Sequence, residues 1–478
     1  MEALQRLHNR GSISTGFNID YSLKFETDNT EYLMAEGRPQ GTQTTWTWSC
    51  WLKRTEVNNG VIAQYIFSAG SDGKTGIYFR DDSSSTGGDT IFIYVDEGNS
   101  LKYIGELRVS FRDTSAWYHI VFAVDSTNGT AADRTKIYVN GVQQTITYSA
   151  TLNQNVSTRV GDGGGKFSIG GKVANTGYGF NGYMAECVLV DGSALTPTSF
   201  GEFDEDSNIW KPKDVSSLSL GTAGFHMNFD DSSNVGAVKT GTSQGNFDKY
   251  NLSAADQATD TPTNNFCTMN MNNRTDGNSK TQEGGTKVTT DGGSGWCSMV
   301  ATMGVTKGKW YWETQRSGGS SDSNDVVTGI VGSEDAYIPY SSAAQYYIGN
   351  VATSSSIGFY TTASPNVRNG DGGSLSNSAG DIIMIALDMD NDKIYFGVNG
   401  TWDALGTGGS SLHADFDGEF VLPAVAVYQG KQIKINFGGY ASYTISSANS
   451  DADGYGNFEY TVPSGYYALC TKNLEEYG

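Results

Sequence analysis

Residues 45–52 read Thr45-Trp46-Thr47-Trp48-Ser49-Cys50-Trp51-Leu52, so that Trp46, Trp48, Cys50 and Leu52 fall on every second position. In an extended chain successive side chains point to opposite faces. A period of two therefore predicts a β-strand with one face turned to a core. The same period recurs on either side. Gly76-Ile77-Tyr78-Phe79, Thr90-Ile91-Phe92-Ile93-Tyr94-Val95 and Lys136-Ile137-Tyr138-Val139 are short runs rich in β-branched and aromatic residues, which suit a pleated surface. Trp117-Tyr118-His119-Ile120-Val121-Phe122-Ala123-Val124 is a longer apolar run, as a central strand requires. Between these runs stand Gly70-Ser71-Asp72-Gly73, the segment 81–88, Asp96-Glu97-Gly98-Asn99 and Asn140-Gly141. All are turn signals, and Asn-Gly is the firmest cue for a tight hairpin.

The pattern runs from Phe17 to Phe225-His226-Met227-Asn228-Phe229-Asp230, which bounds a first domain at 17–230 after an N-terminal segment, 1–16, whose residues 1–9 read as a frayed terminus or as one or two helical turns. Residues 231–262 are rich in Ser, Gly, Asn, Asp and Thr and read as an inter-domain connection. Strand signals resume at Phe266 and define a second domain, 263–478, with a C-terminal extension. There Lys309-Trp310-Tyr311-Trp312-Glu313-Thr314 alternates its faces. The runs 381–388 and 393–400 predict a hairpin around Met389–Asp392, and 420–428 with 432–438 complete the set. Neither long helical periodicity nor a short tandem repeat is present, which excludes solenoids and propellers. The expected fold is all-β: two antiparallel β-sandwiches in series.

Composition agrees. Gly numbers 61 and Pro only 8 while aromatic residues are 12% of the chain, a mixture of short strands and small turns rather than disorder, which lacks the aromatics to close a core. The formal charge is −21, and residues 1–260 carry 20 basic against 30 acidic side chains, so the acidity is spread along the chain and not held in a tail. Such a surface speaks against a nucleic-acid partner, which demands basic patches. Five cysteines, Cys50, Cys187, Cys267, Cys297 and Cys470, occur at wide spacings without CxxC. This is the pattern of buried free thiols, not of a disulfide framework or a zinc site. The polar opening, residues 1–10, lacks the apolar run of a signal peptide, and no stretch approaches the ~20 apolar residues of a membrane span. The expectation is a chain made in a cytoplasm, without membrane insertion.

Both halves resemble known families. Trp117–Phe122, Lys136–Gly141 and then Phe180-Asn181-Gly182-Tyr183-Met184-Ala185-Glu186-Cys187-Val188-Leu189 resemble, in that order, the laminin-G-like or concanavalin-A-like lectin domains. The resemblance implies a jelly-roll-like sandwich and binding of glycan or protein. Gly308–Glu313, Gly329-Ile330-Val331-Gly332, Gly380–Ile383, Leu387–Gly400 and Leu422–Gly438 resemble the SPRY domain, which implies a bent sandwich that binds partners through loops. The pairing, with Ala194–Phe200 and Leu469–Leu474, resembles bacteriophage tail-fibre or other virion-surface proteins. That resemblance implies residence in a virion after synthesis in the host cytoplasm. It also implies other virion proteins and a host-surface glycan or protein as partners, and a homo-oligomer. The chain shows no coiled-coil or collagen-like stretch to enforce a trimer.

Glycoside hydrolysis on a lectin-like sandwich needs paired carboxylates ~5–9.5 Å apart. The E-x-D-x-x-E spacing that would place them on one strand is missing, and Glu202-Phe203-Asp204-Glu205-Asp206 reads as a solvated loop. Asp388-Met389-Asp390-Asn391-Asp392 opens like a calcium loop, but Lys393 and Asn399 occupy the positions that need Gly and Glu. Asp81, Asp82 and Asp162 lie in loops, and the laminin-G-like resemblance makes them the candidate ligands for calcium. His8, His119, His226 and His413 are too scattered for an HExxH-type site. Gly161–Lys166 lacks the spacing of a phosphate loop. Tyr337, Tyr340, Tyr346, Tyr347 and Trp402, in loop-like stretches of the second domain, are the candidate ligand-binding residues, since aromatic rings stack on sugars and anchor interfaces. The expected function is thus non-enzymatic: a virion structural protein that binds a host-surface glycan or protein. The alternatives are a decoration protein that contacts other virion proteins, or a bacterial carbohydrate-binding adhesin.

Overall fold

The computed structural model describes residues 16–478 except 58–62, 71–72, 81–87, 98–99, 174–176, 242–244, 275–278, 291–295, 318–325, 334–346, 350–357, 362–363, 369–378, 403–409, 412–419 and 429. The chain divides into two compact units, residues 1–264 and 265–478. The N-terminal segment read at 1–16 lies, but for Gly16, outside the described residues.

In chain order the strands of the first unit are β1 (Ser22–Phe25), β2 (Tyr32–Ala35), β3 (Thr45–Arg54), β4 (Ala63–Ala69), β5 (Thr75–Arg80), β6 (Thr90–Glu97), β7 (Ser100–Leu107), β8 (Trp117–Asp125), β9 (Thr135–Val139), β10 (Val142–Gln144), β11 (Ile146–Tyr148), β12 (Phe167–Ile169), β13 (Gly182–Asp191), β14 (Gly201–Phe203), β15 (Trp210–Pro212), β16 (Phe225–Met227), β17 (Asp248–Tyr250) and β18 (Gln257–Ala258). Sixteen of them form two eight-stranded antiparallel sheets, and β14 pairs with β15 apart from these. One runs β10-β9-β8-β3-β13-β1-β18, with β16 beside β13, and the other runs β11-β7-β6-β5-β4-β12-β2-β17. The period of two does what the sequence predicts. Trp46, Trp48, Cys50 and Leu52 of β3 enter a core that also holds Phe67, Ile77, Phe79, Ile91 and Ile93 of the facing sheet. Trp48 stacks on Phe67 at 4.5 Å between ring centres. Asn140 and Gly141 join β9 to β10 with φ of 47° and 79°, the two positive values a type I′ hairpin requires.

Residues 231–262 do not form the loose connection that their composition suggests. β17 pairs with β2 and β18 pairs with β1, so the segment adds an edge strand to each sheet. What holds it is charge placed out of water. Lys53 Nζ lies 2.8 Å from Asp260 Oδ2, both side chains essentially inaccessible, and Trp117 Nε1 donates to the other oxygen at 3.1 Å. Lys24 Nζ sits between Glu31 and Asp256, at 2.9 and 3.0 Å. Burial pushes the Glu31 carboxyl up to about 7, since the attraction of Lys24 does not offset desolvation and Asp256 pushes the same way. A proton on Glu31 brings the trio close to net neutrality, the arrangement a buried site tolerates. Polar composition read as a solvated stretch because Asp256 and Asp260 look like turn residues; their buried partners are more than 200 positions away.

The second unit is also a sandwich. Met269–Arg274, Trp296–Ala301, Val421–Tyr428 and Val326–Gly332 form a four-stranded sheet. A nine-stranded sheet is centred on Lys309–Ser317, Ile382–Asp388 and Gln432–Asn436. The predicted hairpin is present, with Asp388 opposite Lys393. Trp310 and Trp312 enter the core between the sheets, whereas Tyr311 enters a second cluster on the outer face, with Phe458, Val462 and Tyr466 of the C-terminal extension. Glu313, on that outer face and inaccessible, accepts from the hydroxyls of Tyr311 (2.8 Å) and Tyr443 (2.9 Å) and from the backbone N–H of Glu459 (3.0 Å) and Tyr460 (2.8 Å). Four donors on one carboxylate pin the extension to the sheet. Burial still leaves that carboxyl harder to ionise than an ordinary glutamate.

Two substitutions separate an anchored segment from a free connection. Asp260→Ala strips the carboxylate from a fully buried ammonium and is expected to destabilise the first unit by about 3 kcal/mol. Asp230→Ala removes the half-exposed pair with Lys239 and is expected to change stability by less than about 0.5 kcal/mol. Equal, small effects in denaturant unfolding would contradict the anchoring.

Candidate functional site

The outer face of the sheet that contains β4, β5 and β6 should be polar in a two-layer sandwich, yet it is aromatic. The register sets Tyr65 opposite Tyr78 and Tyr78 opposite Phe92. On the inner face the same strands place Phe67, Ile77, Phe79, Ile91 and Ile93. The outer rings form a row: Tyr65 on Tyr78 at 4.5 Å, Tyr78 on Phe92 at 5.8 Å and Phe92 on Tyr103 at 5.6 Å, each pair near-parallel. Tyr94 lies beside Tyr78 at 5.8 Å and Tyr178 tilts toward Tyr65 at 6.2 Å. Gly76, across from Tyr94 in the ladder, keeps this surface open: a Cβ there would stand 2.6 Å from Cε1 of Tyr65.

A cavity of about 340 Å³ opens on this row, within the range of small-ligand sites. Tyr65 and Tyr78 are almost buried in it, whereas Tyr94 and Tyr178 are half-buried. Lys74, Arg80 and Lys172 complete a lining that, among the described residues, contains no carboxylate. Arg80 lies over Phe92 at 4.8 Å, and Lys172 Nζ lies 5.5 Å from the ring centres of both Tyr65 and Tyr178, inside cation–π range. Burial pushes the hydroxyls of Tyr65 and Tyr78 well up and that of Tyr103 up to about 12. These hydroxyls stay protonated and able to donate. Flat faces, neutral donors and cations on a rigid sheet can bind a ring-shaped polar ligand.

Two other buried polar groups resemble catalytic parts. His119 Nε2 lies 2.8 Å from Ser49 Oγ, but Trp210 Nε1 donates to His119 Nδ1 at 2.9 Å. Nδ1 is then the acceptor and Nε2 carries the hydrogen, so His119 donates to Ser49 and cannot take its proton. Burial lowers its pKa to about 3, which makes it a neutral, satisfied core residue stacked on Trp51. Glu186 and His226 pair at 2.6 Å on the same sheet as His119, where β13 bulges and Glu186 adopts φ of 50°.

The residues singled out from sequence are not brought together. Asp162 accepts from Arg159 Nη1 at 2.6 Å and from Gln43 at 3.3 Å, so its carboxylate is already taken by a cation of the chain. Asp81 and Asp82 lie outside the described residues. Among the described residues no three His, Cys, Asp or Glu converge as a metal site would require; those present around Asp162 do not fit a calcium ion. Tyr337, Tyr340 and Tyr346 lie outside the described residues, and Tyr347 opens the strand Tyr347–Gly349. Trp402 follows the hairpin turn Asn399-Gly400 and packs partly against the outer cluster, 6.2 Å from the Tyr311 ring. All five cysteines are buried free thiols, and Cys50 and Cys187 touch, Sγ to Sγ, at 3.2 Å.

Residues 27–199 match the concanavalin A-like lectin/glucanases superfamily and residues 234–440 match the SPRY domain. A concanavalin A-like domain and a SPRY domain stand in series. The second match begins before the boundary at Asn264, in the segment that folds onto the first unit. No curated protein matches the chain. Among solved structures, the SPRY domain of human HERC1 is 22% identical, with a TM-score of 0.23 over 35% of this chain and 96% of that one. A heptameric SAP-like pentraxin from Limulus polyphemus is 18% identical, with a TM-score of 0.28 over 42% of this chain and 100% of that one. Domain 4 of an extracellular arabinanase from Geobacillus stearothermophilus, solved with arabinotriose, is 17% identical, with a TM-score of 0.24 over 35% and 69%.

The aromatic row of the concanavalin A-like domain escaped sequence reading, although Tyr78 and Tyr94 stand inside runs already read as strands. The signal was there: Ile77 and Phe79 account for the inner face of β5, so Tyr78 between them has no core to enter. His119 yields a prediction. Its depressed pKa stabilises the fold above the unfolded value near 6.5, and that stability is lost as pH falls toward 3. His119→Phe is expected to flatten the fall in unfolding free energy between pH 7 and 4 by about 3 kcal/mol. An unchanged slope would mean the folded domain takes up this proton freely.

Proposed function

We propose that the protein is a non-enzymatic attachment protein whose concanavalin A-like domain binds a surface glycan on the aromatic row of β4–β6. The observation that supports this is the cavity where Tyr65, Tyr78, Tyr94 and Tyr178 meet three cationic side chains, on a sheet face that folding alone would leave polar. Sugar rings offer C–H faces to stack on tyrosine and hydroxyls to bond at the edges. The pairing with a SPRY domain, a family of binding domains, is in keeping with recognition rather than turnover. The setting we propose, which the sequence resemblance implies, is a bacteriophage tail fibre or other virion-surface protein, in which several copies held together would turn weak sites into firm attachment. An adhesin displayed on a bacterial cell would use the same site.

The test is binding of the purified full chain to whole bacterial cells and to a glycan array, with calcium and with chelator. Saturable binding that survives chelation is expected, because the described lining supplies its own cations. Tyr94→Ala, a half-buried position, is expected to weaken it by about tenfold without loss of fold. Binding untouched by Tyr94→Ala moves the site elsewhere, and no binding to either surface overturns the attachment role.

A further inference from the structure

We propose that the saccharide this site takes is anionic, carrying a carboxylate or a sulfate ester that pairs with Lys172. The inference rests on the glycan reading of the aromatic row and adds the class of sugar.

Lys172 carries the argument. The residue is half-buried, and its ammonium lies 5.5 Å from the centres of both the Tyr65 and Tyr178 rings. No described residue gives it a carboxylate or a hydrogen-bond partner. Elsewhere in this unit the half-buried and buried cations have found one: Lys24 with Glu31, Lys53 with Asp260, Arg54 with Asp89, Arg159 with Asp96 and Asp162. A chain of net charge −21 has carboxylates to spare. Yet the described lining of this cavity includes no acid. A lysine with no carboxylate partner beside an open cavity can take an anion there, and its contact with two tyrosine rings positions the charge beforehand. The overall negative charge does not defeat this. At physiological ionic strength charges separated by more than ~8 Å are largely screened, so the ligand responds to the lining and not to the distant surface.

The experiment compares neutral oligosaccharides with their carboxylated and sulfated counterparts on the full chain, by calorimetry at 50 and 500 mM salt. The expected result is that the anionic sugars bind at least about tenfold tighter, that salt weakens them several-fold and leaves neutral sugars unchanged, and that Lys172→Met removes the preference while Lys172→Arg retains it. Preference for carboxylated over sulfated sugars, or the reverse, identifies the source of the anion. Equal binding of neutral and anionic sugars, still lost in Tyr94→Ala, overturns this inference but leaves the glycan site standing. Absence of binding to any sugar overturns both. Should Lys172→Met fail to fold, the salt dependence of the wild-type chain decides alone.

Discussion

Strands β4, β5 and β6 carry apolar side chains on both faces, and much of the first domain follows from that double load. The inner face takes aliphatic residues and phenylalanines, which a sandwich core packs densely against Trp48 and Phe167. The outer face takes tyrosines. A phenol buries its ring and leaves a hydroxyl for water or ligand, so tyrosine is the aromatic residue a partly wet face can carry. Because the inner set fixes register, the outer set cannot slip: a one-residue shift would exchange the two faces and bury the hydroxyls in the core. The rings are thus held on strands rather than loops, and a site placed that way loses little freedom when a ligand arrives.

Charge is used in two opposed ways in the same domain. In the segment after Asp230, buried lysines meet buried aspartates and close the sheets at their edges. Each pair is costly to desolvate and gains its value by position: removing one partner strands the other. Around the tyrosine row the arrangement is reversed, with cations collected and acids kept off the described lining. Lys172 differs from the buried lysines in having no carboxylate partner among the described residues.

The fold was legible because periodicity is a local property. Trp46–Leu52, Lys309–Glu313 and the Asn140-Gly141 turn each state their conformation within a few residues. The anchoring of 231–262 was not, since Asp256 and Asp260 owe their burial to Lys24 and Lys53, and nothing near them in sequence announces it. The same reason hid the site. Tyr65, Tyr78, Tyr94, Tyr178 and Lys172 come from separate strands and a turn, and only pairing brings them to one face. Loop tyrosines such as Tyr337 drew attention because binding residues concentrate on loops. The strand tyrosines passed as core because an aromatic residue inside a β-run is usually that. The discriminating mark is parity: an aromatic at the position that the core face does not use.

The size of the cavity constrains how such a site can work. About 340 Å³ admits one or two sugar rings, on the order of 12 to 24 heavy atoms. At roughly 0.3 kcal/mol per atom such a ligand gains on the order of 4 to 7 kcal/mol, which is millimolar to ten-micromolar affinity. A single copy with that affinity releases its target quickly. Attachment therefore calls for several copies on one support, where a second contact forms at high effective concentration as soon as the first is made. A rigid, shallow, strand-borne site suits that regime, because each contact is quick to form and the hold comes from number.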